Sequence, residues 1–231
     1  MPQSYNDRLF NNKTIRSKLH YARYYWLEKK LMQYSPEYKS VIELGCYDGK
    51  TLNFLNQNIS YTGYDANWEG GLDIAKSKNL ANAKFISSET ISEFNPDRIQ
   101  YDISICMETL EHLPIIELDN YIKILHESTK QYCFITIPNE QGLILVAKYF
   151  TKKYIIRNVT EAYSIKDLYN GFIGRTDRIK RNEGGHKGFD YNNMIESLSS
   201  QFQLIEINGI PFQQLSAKMN FSIGIVLKKK D

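Results

Sequence analysis

Two glycines and an acid carry the first chemistry legible in this chain. Val41-Ile-Glu-Leu-Gly-Cys-Tyr-Asp-Gly49 runs from an apolar segment into a glycine turn, and Tyr61-Thr-Gly-Tyr-Asp65 ends the next apolar segment on a carboxylate. Glycine lets the backbone approach a ligand closely. An acid roughly 20 residues beyond the turn accepts hydrogen bonds from ribose hydroxyls, which is how a nucleotide site is built at the end of a parallel strand. The plainer alternative is a tight turn beside a solvated Asp. A pyrophosphate cradle would need a glycine in the middle of the turn, where Tyr47 stands.

A second set of residues can handle protons. Glu108-Thr-Leu-Glu-His112 follows another apolar run, and His186 stands in Gly184-Gly-His-Lys-Gly-Phe189. Histidine titrates near neutrality, so His112 and His186 are the candidate general bases for a hydroxyl acceptor. Each has a structural alternative, a backbone hydrogen bond that fixes a loop. His20 and His126 fall in helical patterns and read as packing or surface residues.

Short apolar runs alternating with helical patterns must position these groups. Strand-like segments cover Ser40–Leu44, Ile59–Asp65, Ala83–Ser87, Tyr101–Met107, Gln131–Ile137, Phe202–Ile207 and Phe221–Leu227. Helical patterns cover residues 11–34, 50–56, 71–79, 116–130 and 192–199. Such alternation means βαβ units and a mostly parallel sheet, and the two closing strands without a helix between them predict an antiparallel edge. The expected fold is α/β, a doubly wound, mostly parallel seven-stranded sheet with an antiparallel edge strand (Rossmann-like). One domain spans 1–231, with a helical cap over 1–38 and a helical lid insertion over 143–185. The insertion is basic and aromatic, carrying Lys152, Lys153, Arg157, Lys166, Arg175, Arg178, Lys180 and Arg181. As a lid it would offer Arg175, Arg178, Lys180 or Arg181 to an anionic group, walled by Tyr163, Tyr169 and Phe172; otherwise it is a solvated helical face.

The segment at Glu43, Gly45 and Gly49 resembles motif I of class I S-adenosylmethionine-dependent methyltransferases, with Tyr47 departing at the second glycine. Three further segments support the resemblance. Asp65 fits the ribose-binding acid, with Ala66 beside it. Phe85-Ile-Ser-Ser-Glu89 resembles the end of the third strand, where Ser88 and Glu89 would meet the adenine. Asp102-Ile-Ser-Ile-Cys-Met-Glu-Thr-Leu-Glu-His-Leu-Pro114 resembles the fourth-strand motif of the small-molecule branch, where Met107 and Glu108 would face the methionine end. The resemblance implies S-adenosylmethionine as cofactor and S-adenosylhomocysteine as product. It also implies a small polar or anionic acceptor, in the manner of enzymes of bacterial surface-polysaccharide pathways. Glu108, Glu111, His112 and His186 also resemble the metal set of small-RNA terminal 2′-O-methyltransferases, where a divalent ion such as Mg²⁺ or Mn²⁺ activates hydroxyls. Relatives without a metal carry the same motif, so metal-free chemistry is the expectation.

Composition narrows the partners. The 231 residues are 42% hydrophobic and 24% charged, enough for one ordinary core. Twenty-nine Lys and Arg against 26 Asp and Glu leave +3, too little to argue for nucleic acid. Three cysteines without a CxxC pair point to buried thiols in a cytoplasmic protein. No run suits a transmembrane helix, and a homodimer is allowed. The competing functions are a metal-dependent RNA 2′-O-methyltransferase, a non-catalytic cofactor-binding relative, and a membrane-surface protein using Leu143 to Lys153 as an amphipathic anchor.

Overall fold

The structure is a computed structural model and describes residues 5–10, 14–156, 162–182 and 184–230. Residues 11–13 of the N-terminal helical pattern and Arg157 of the basic insertion lie outside the described residues. The order is α1 (Tyr5–Phe10), α2 (Ile15–Tyr34), β1 (Ser40–Leu44), β2 (Ser60–Asp65), α3 (Gly71–Ser77), β3 (Ala83–Ser87), β4 (Tyr101–Met107), α4 (Ile115–Ser128), β5 (Thr129–Pro138), α5 (Gly142–Phe150), α6 (Ile165–Phe172), α7 (Tyr191–Gln201), β6 (Phe202–Ile210) and β7 (Ser222–Lys229).

One seven-stranded sheet runs β3-β2-β1-β4-β5-β7-β6. The five strands from β3 to β5 are parallel, and β7 pairs antiparallel with both β5 and β6. This is the doubly wound Rossmann-like sheet with an antiparallel edge. Strand residues alternate between two cores, as the pleat requires. Val41, Tyr61, Ile103, Ile105, Phe134 and Val226 face the core under α2 and α3. Ile42, Leu44, Cys106, Ile135, Ile223 and Ile225 face the core under α4 and α7. The three cysteines are free and buried.

Thr14 caps α2 by accepting the Ser17 amide at 3.2 Å. The helix then crosses the sheet through Trp26, whose indole covers Gly224: a Cβ there would lie 2.3 Å from the ring. The indole N–H donates to Asn208 Oδ1 at 3.0 Å, and buried Lys30 pairs with Glu206 at 2.7 Å. His20 packs on Phe10 and Phe221, and His126 packs on Phe202. No described helix is long and apolar enough to cross a membrane.

One expected element is shorter than its pattern. Residues 50–56 form only a 3₁₀ turn, Lys50–Phe54. The Thr51 hydroxyl is tied back to Glu43 at 2.7 Å, and the Asn56 amide, which a continuing helix would use, donates to the Tyr38 hydroxyl at 2.8 Å. The insertion is α5, a π-helical turn at Thr151–Ile156, α6 and a 3₁₀ turn at Thr176–Arg178. Ser164 opens α6 with a capping box. Gly171 lets α6 press on Leu145 of α5, where a Cβ would be 2.2 Å from the leucine.

Candidate active site

The sheet order reverses direction between β1 and β4, the switch point at whose C-terminal end ligands of such sheets bind. Gly45 (φ 78°) turns the chain out of β1, and its amide and that of Cys46 both donate to the Tyr64 carbonyl. A Cβ at Gly45 would lie within 2.0 Å of Thr109, so the loop after β1 rests directly on the loop after β4. Tyr47 and Gly49 both adopt positive φ, 46° and 69°. The middle position of the turn thus keeps a left-handed backbone although it is a tyrosine, at about 1 kcal/mol or more of strain.

Asp65 binds that strained turn. Its Oδ2 accepts the Tyr47 amide at 2.9 Å and its Oδ1 accepts the Asn67 amide at 2.9 Å. Burial pushes the Asp65 carboxyl above its usual range, and these amide bonds work against that. The Tyr47 ring lies on Gly71, where a Cβ would approach to 2.3 Å, and 6.2 Å from the exposed Trp68 ring. Ala66 is exposed beside Asp65. At the end of β3, buried Ser88 donates its amide to the Asp65 carbonyl at 2.9 Å, whereas Glu89 is exposed. Glu43 is buried inside the turn, holding the Thr51 and Tyr61 hydroxyls. Burial drives its pKa up to about 7, against the pull of those two hydrogen bonds.

The loop after β4 supplies the second half. The Met107 carbonyl accepts the Thr109 hydroxyl at 3.1 Å. Glu108 (φ 50°) donates its amide to the Thr136 carbonyl, and its buried Oε1 has no hydrogen-bond partner among the described residues. Glu111 is wholly buried, and neither of its carboxylate oxygens receives a hydrogen bond from another described residue. Burial, and Glu108 next to it, raise its pKa to about 8, while His186 pulls the other way.

His112 and His186, 74 residues apart, meet here with their Nε2 atoms 3.3 Å from each other. His112 Nδ1 is 2.8 Å from the Gly184 carbonyl, so Nδ1 carries the proton and Nε2 is left to accept one. His186 Nδ1 lies 3.5 Å from Glu140 Oε1, and Glu140 in turn binds Lys148 at 2.8 Å. Burial lowers the His186 pKa, but the Glu140 hydrogen bond and the charges of Glu111 and Glu140 outweigh it and hold the imidazole above its usual value. Burial disfavours the Glu140 anion, yet Lys148 and His186 bring its pKa down to about 2. Glu111, His112 and His186 can offer three ligand atoms within 4.8 Å of one another.

Besides Lys148, the insertion brings Arg181 to this cluster. Arg181 donates to the Glu111 carbonyl at 2.6 Å and lies over Phe189. Arg175, Arg178 and Lys180 point to solvent, as do Tyr169 and Phe172; Tyr163 packs 6.0 Å from Tyr149. Sequence reasoning missed Glu140 and Lys148. The signal was available, because Glu140 follows the Pro138-Asn139 stop of a central strand, on the edge where the loops after β1 and β4 converge.

Residues 19–170, more than half of the chain, match the family model described as "Methyltransferase domain". No curated protein sequence matches the chain. Magnesium protoporphyrin IX methyltransferase (ChlM) from Synechocystis PCC 6803, solved with bound SAH, is similar in fold. Its TM-score is 0.64 at 14% identity, covering 96% of this chain and 92% of that one. The methyltransferase domain of bacterial-CtHen1-C gives 0.60 at 19%, covering 92% and 100%. N-methyltransferase NodS from Bradyrhizobium japonicum WM9 gives 0.57 at 12%, covering 93% and 98%.

Proposed function

The chain belongs to the methyltransferase-domain family, and from that premise we propose that it moves a methyl group from S-adenosylmethionine to an oxygen of a small polar or anionic acceptor. A sugar, nucleotide-sugar or phosphorylated metabolite of surface-polysaccharide synthesis suits that description. The observation that carries the reading is the His112–His186 pair, held with buried Glu111 at the end of β4 beside the turn after β1. When bound, the cofactor supplies a methyl group on a sulfonium, already activated for in-line attack.

The chain's own residues then bind, orient and accept a proton. Gly45, Tyr47 and Gly49 form the backbone floor, with Glu43 bracing it from beneath. Asp65 and Ala66 line the ribose edge, and Ser88 and Glu89 the adenine edge. At the methionine edge stand Met107 and Glu108, whose unpartnered buried Oε1 suits an ammonium donor. His112 Nε2, the ring nitrogen without the proton when Nδ1 donates to the Gly184 carbonyl, takes the acceptor's hydroxyl proton as the oxygen gains the methyl group. His186, fixed by Glu140, positions the His112 ring, and Glu111, 3.7 Å from His112 Nε2, stabilises the imidazolium that forms once its own carboxyl is ionised. An anionic acceptor would find Arg181 at the same place. The helical segments of 143–185 act as the lid and those of 1–38 as the cap of one domain.

The test is calorimetric titration with S-adenosylhomocysteine, followed by cofactor consumption against a panel of sugars and nucleotide-sugars. Wild type is expected to bind, Asp65→Ala to lose measurable affinity while folded, and His112→Ala to keep affinity but turn over roughly a hundredfold more slowly. A wild-type chain that ignores S-adenosylhomocysteine sinks the reading.

One observation favours a second reading, a metal-assisted hydroxyl transfer. Glu111 is a buried carboxyl group with no hydrogen bond from another described residue, and it and two imidazoles offer ligand atoms within 4.8 Å of one another. Nitrogen and carboxylate donors of this kind would hold a divalent cation such as Mg²⁺ or Mn²⁺, which polarises a bound hydroxyl. A rise in melting temperature with Mn²⁺ that disappears in His186→Ala supports this version; no rise returns the proton to His112.

A further inference from the structure

The insertion shows solvent a face that neither proposed reaction uses. On α6, Ile165, Tyr169 and Phe172, with Ile173 just past its end, recur at i, i+4, i+7 and i+8, and all are exposed, Ile165 at 88% and Tyr169 at 62%. This is the usual apolar stripe of an amphipathic helix, turned outward: the opposite side, Asn170 and Gly171, is the one buried against α5. On α5 and the turn after it, Leu143, Phe150 and Tyr154 repeat the pattern, with Phe150 and Tyr154 stacked 5.8 Å apart and exposed. Exposed apolar stripes of this kind, on two helices that pack through Leu145 and Gly171, mark an interaction surface.

Charge says what covers it. Residues 142–182 hold nine Lys and Arg against three Asp and Glu, while the whole chain exceeds neutrality by only +3, so the remainder is net acidic. Lys148 and Arg181 are turned to the candidate site, and others of these cations flank the stripes. Lys153 Nζ lies 5.5 Å from the ring centres of both Tyr149 and Tyr154, and Lys166 and Arg175 sit next to Ile165 and Ile173. Of the acids, Asp167 is bound to Lys187 at 2.9 Å. Two copies meeting through this face would oppose like charges. An anionic bilayer instead takes apolar and tyrosine side chains at the headgroup boundary and long basic side chains at its phosphates.

We propose that the outer face of α5 and α6 docks on an anionic lipid surface. The docking is independent of cofactor binding and stands whether or not the methyl-transfer reading does. The experiment is flotation of the full chain with vesicles of phosphatidylglycerol and phosphatidylcholine in equal parts, against phosphatidylcholine alone. The chain is expected to float with the anionic vesicles at low salt, to remain at the bottom with neutral ones, and to be released by high salt. Phe172→Glu and the double variant Lys152→Glu/Lys153→Glu should each weaken flotation by about tenfold or more. Phe172 and Lys153 are exposed and Lys152 is half-buried, so melting temperatures close to wild type are expected and are measured alongside. Failure of wild type to float with anionic vesicles overturns the proposal, as do variants that float equally well. A dimer dispersed by Phe172→Glu, in a chain that binds no vesicle, would give the face to a second copy instead.

Discussion

Single side chains in this molecule are held in charge states they would not adopt in water, and Glu43 is the plainest case. Its folded carboxyl keeps a proton from the ordinary 4.5 up to about pH 7, because it is buried beneath the turn after β1. Between those values the folded chain binds more protons than the unfolded one, so stability falls as pH rises. Replacing Glu43 with Gln should remove that slope: the variant gains on wild type by up to about 3 kcal/mol between pH 4.5 and 7, then runs parallel. Urea midpoints across that range measure it, and an unchanged difference would mean that Glu43 ionises normally. Lys148 is the complementary case. It is the lysine partner of the buried Glu140 carboxylate, so Lys148→Met should destabilise by about 3 kcal/mol in thermal unfolding, with Glu140→Gln added to the same chain restoring part of the loss.

At the scale of elements, helix α2 sits close against strand β7. Trp26 occupies the room that a side chain at Gly224 would need, so Gly224→Ala should destabilise by about 2 kcal/mol. In a Trp26→Leu background the same change should be nearly neutral, a coupling that a double-mutant cycle of urea unfolding reads directly. The strands are the legible elements of this sequence, because runs such as Tyr101–Met107 are buried on both faces and bounded by turn residues. The turn at Lys50–Phe54 is not, since nothing local announces that Tyr38 captures the Asn56 amide. The candidate site divides in the same way. Gly45, Gly49 and Asp65 lie on two neighbouring parallel strands and the short crossover between them, so spacing alone relates them. The meeting of His112 with His186, and of both with Glu140, depends on how a 40-residue insertion folds back, roughly the length at which local pattern stops constraining position.

The whole molecule hangs two cores on one sheet. Trp26, Val41 and Ile103 pack on one face and Ile42, Leu125 and Leu198 on the other, so neither layer can leave without exposing the strands beneath. Unfolding should therefore be a single cooperative transition. In a Trp68→Phe chain, the fluorescence of Trp26 and the far-ultraviolet circular dichroism should share one urea midpoint. An earlier fluorescence midpoint would make α2 a separately melting cap.

The insertion is joined to the loop after β4 through main-chain atoms. Arg181 reads the carbonyl of Glu111, and His112 reads the carbonyl of Gly184. A carbonyl is present whatever side chain its residue carries. Apart from Arg181, which donates one bond, and Gly184, whose positive φ of 79° favours glycine, neither bond asks for a particular side chain along the insertion, so its outer residues are free to drift. Such a joint lets descendants of one enzyme exchange acceptors or docking partners while the methyl-handling half stays as it is, which makes the insertion the place where related chains should diverge fastest.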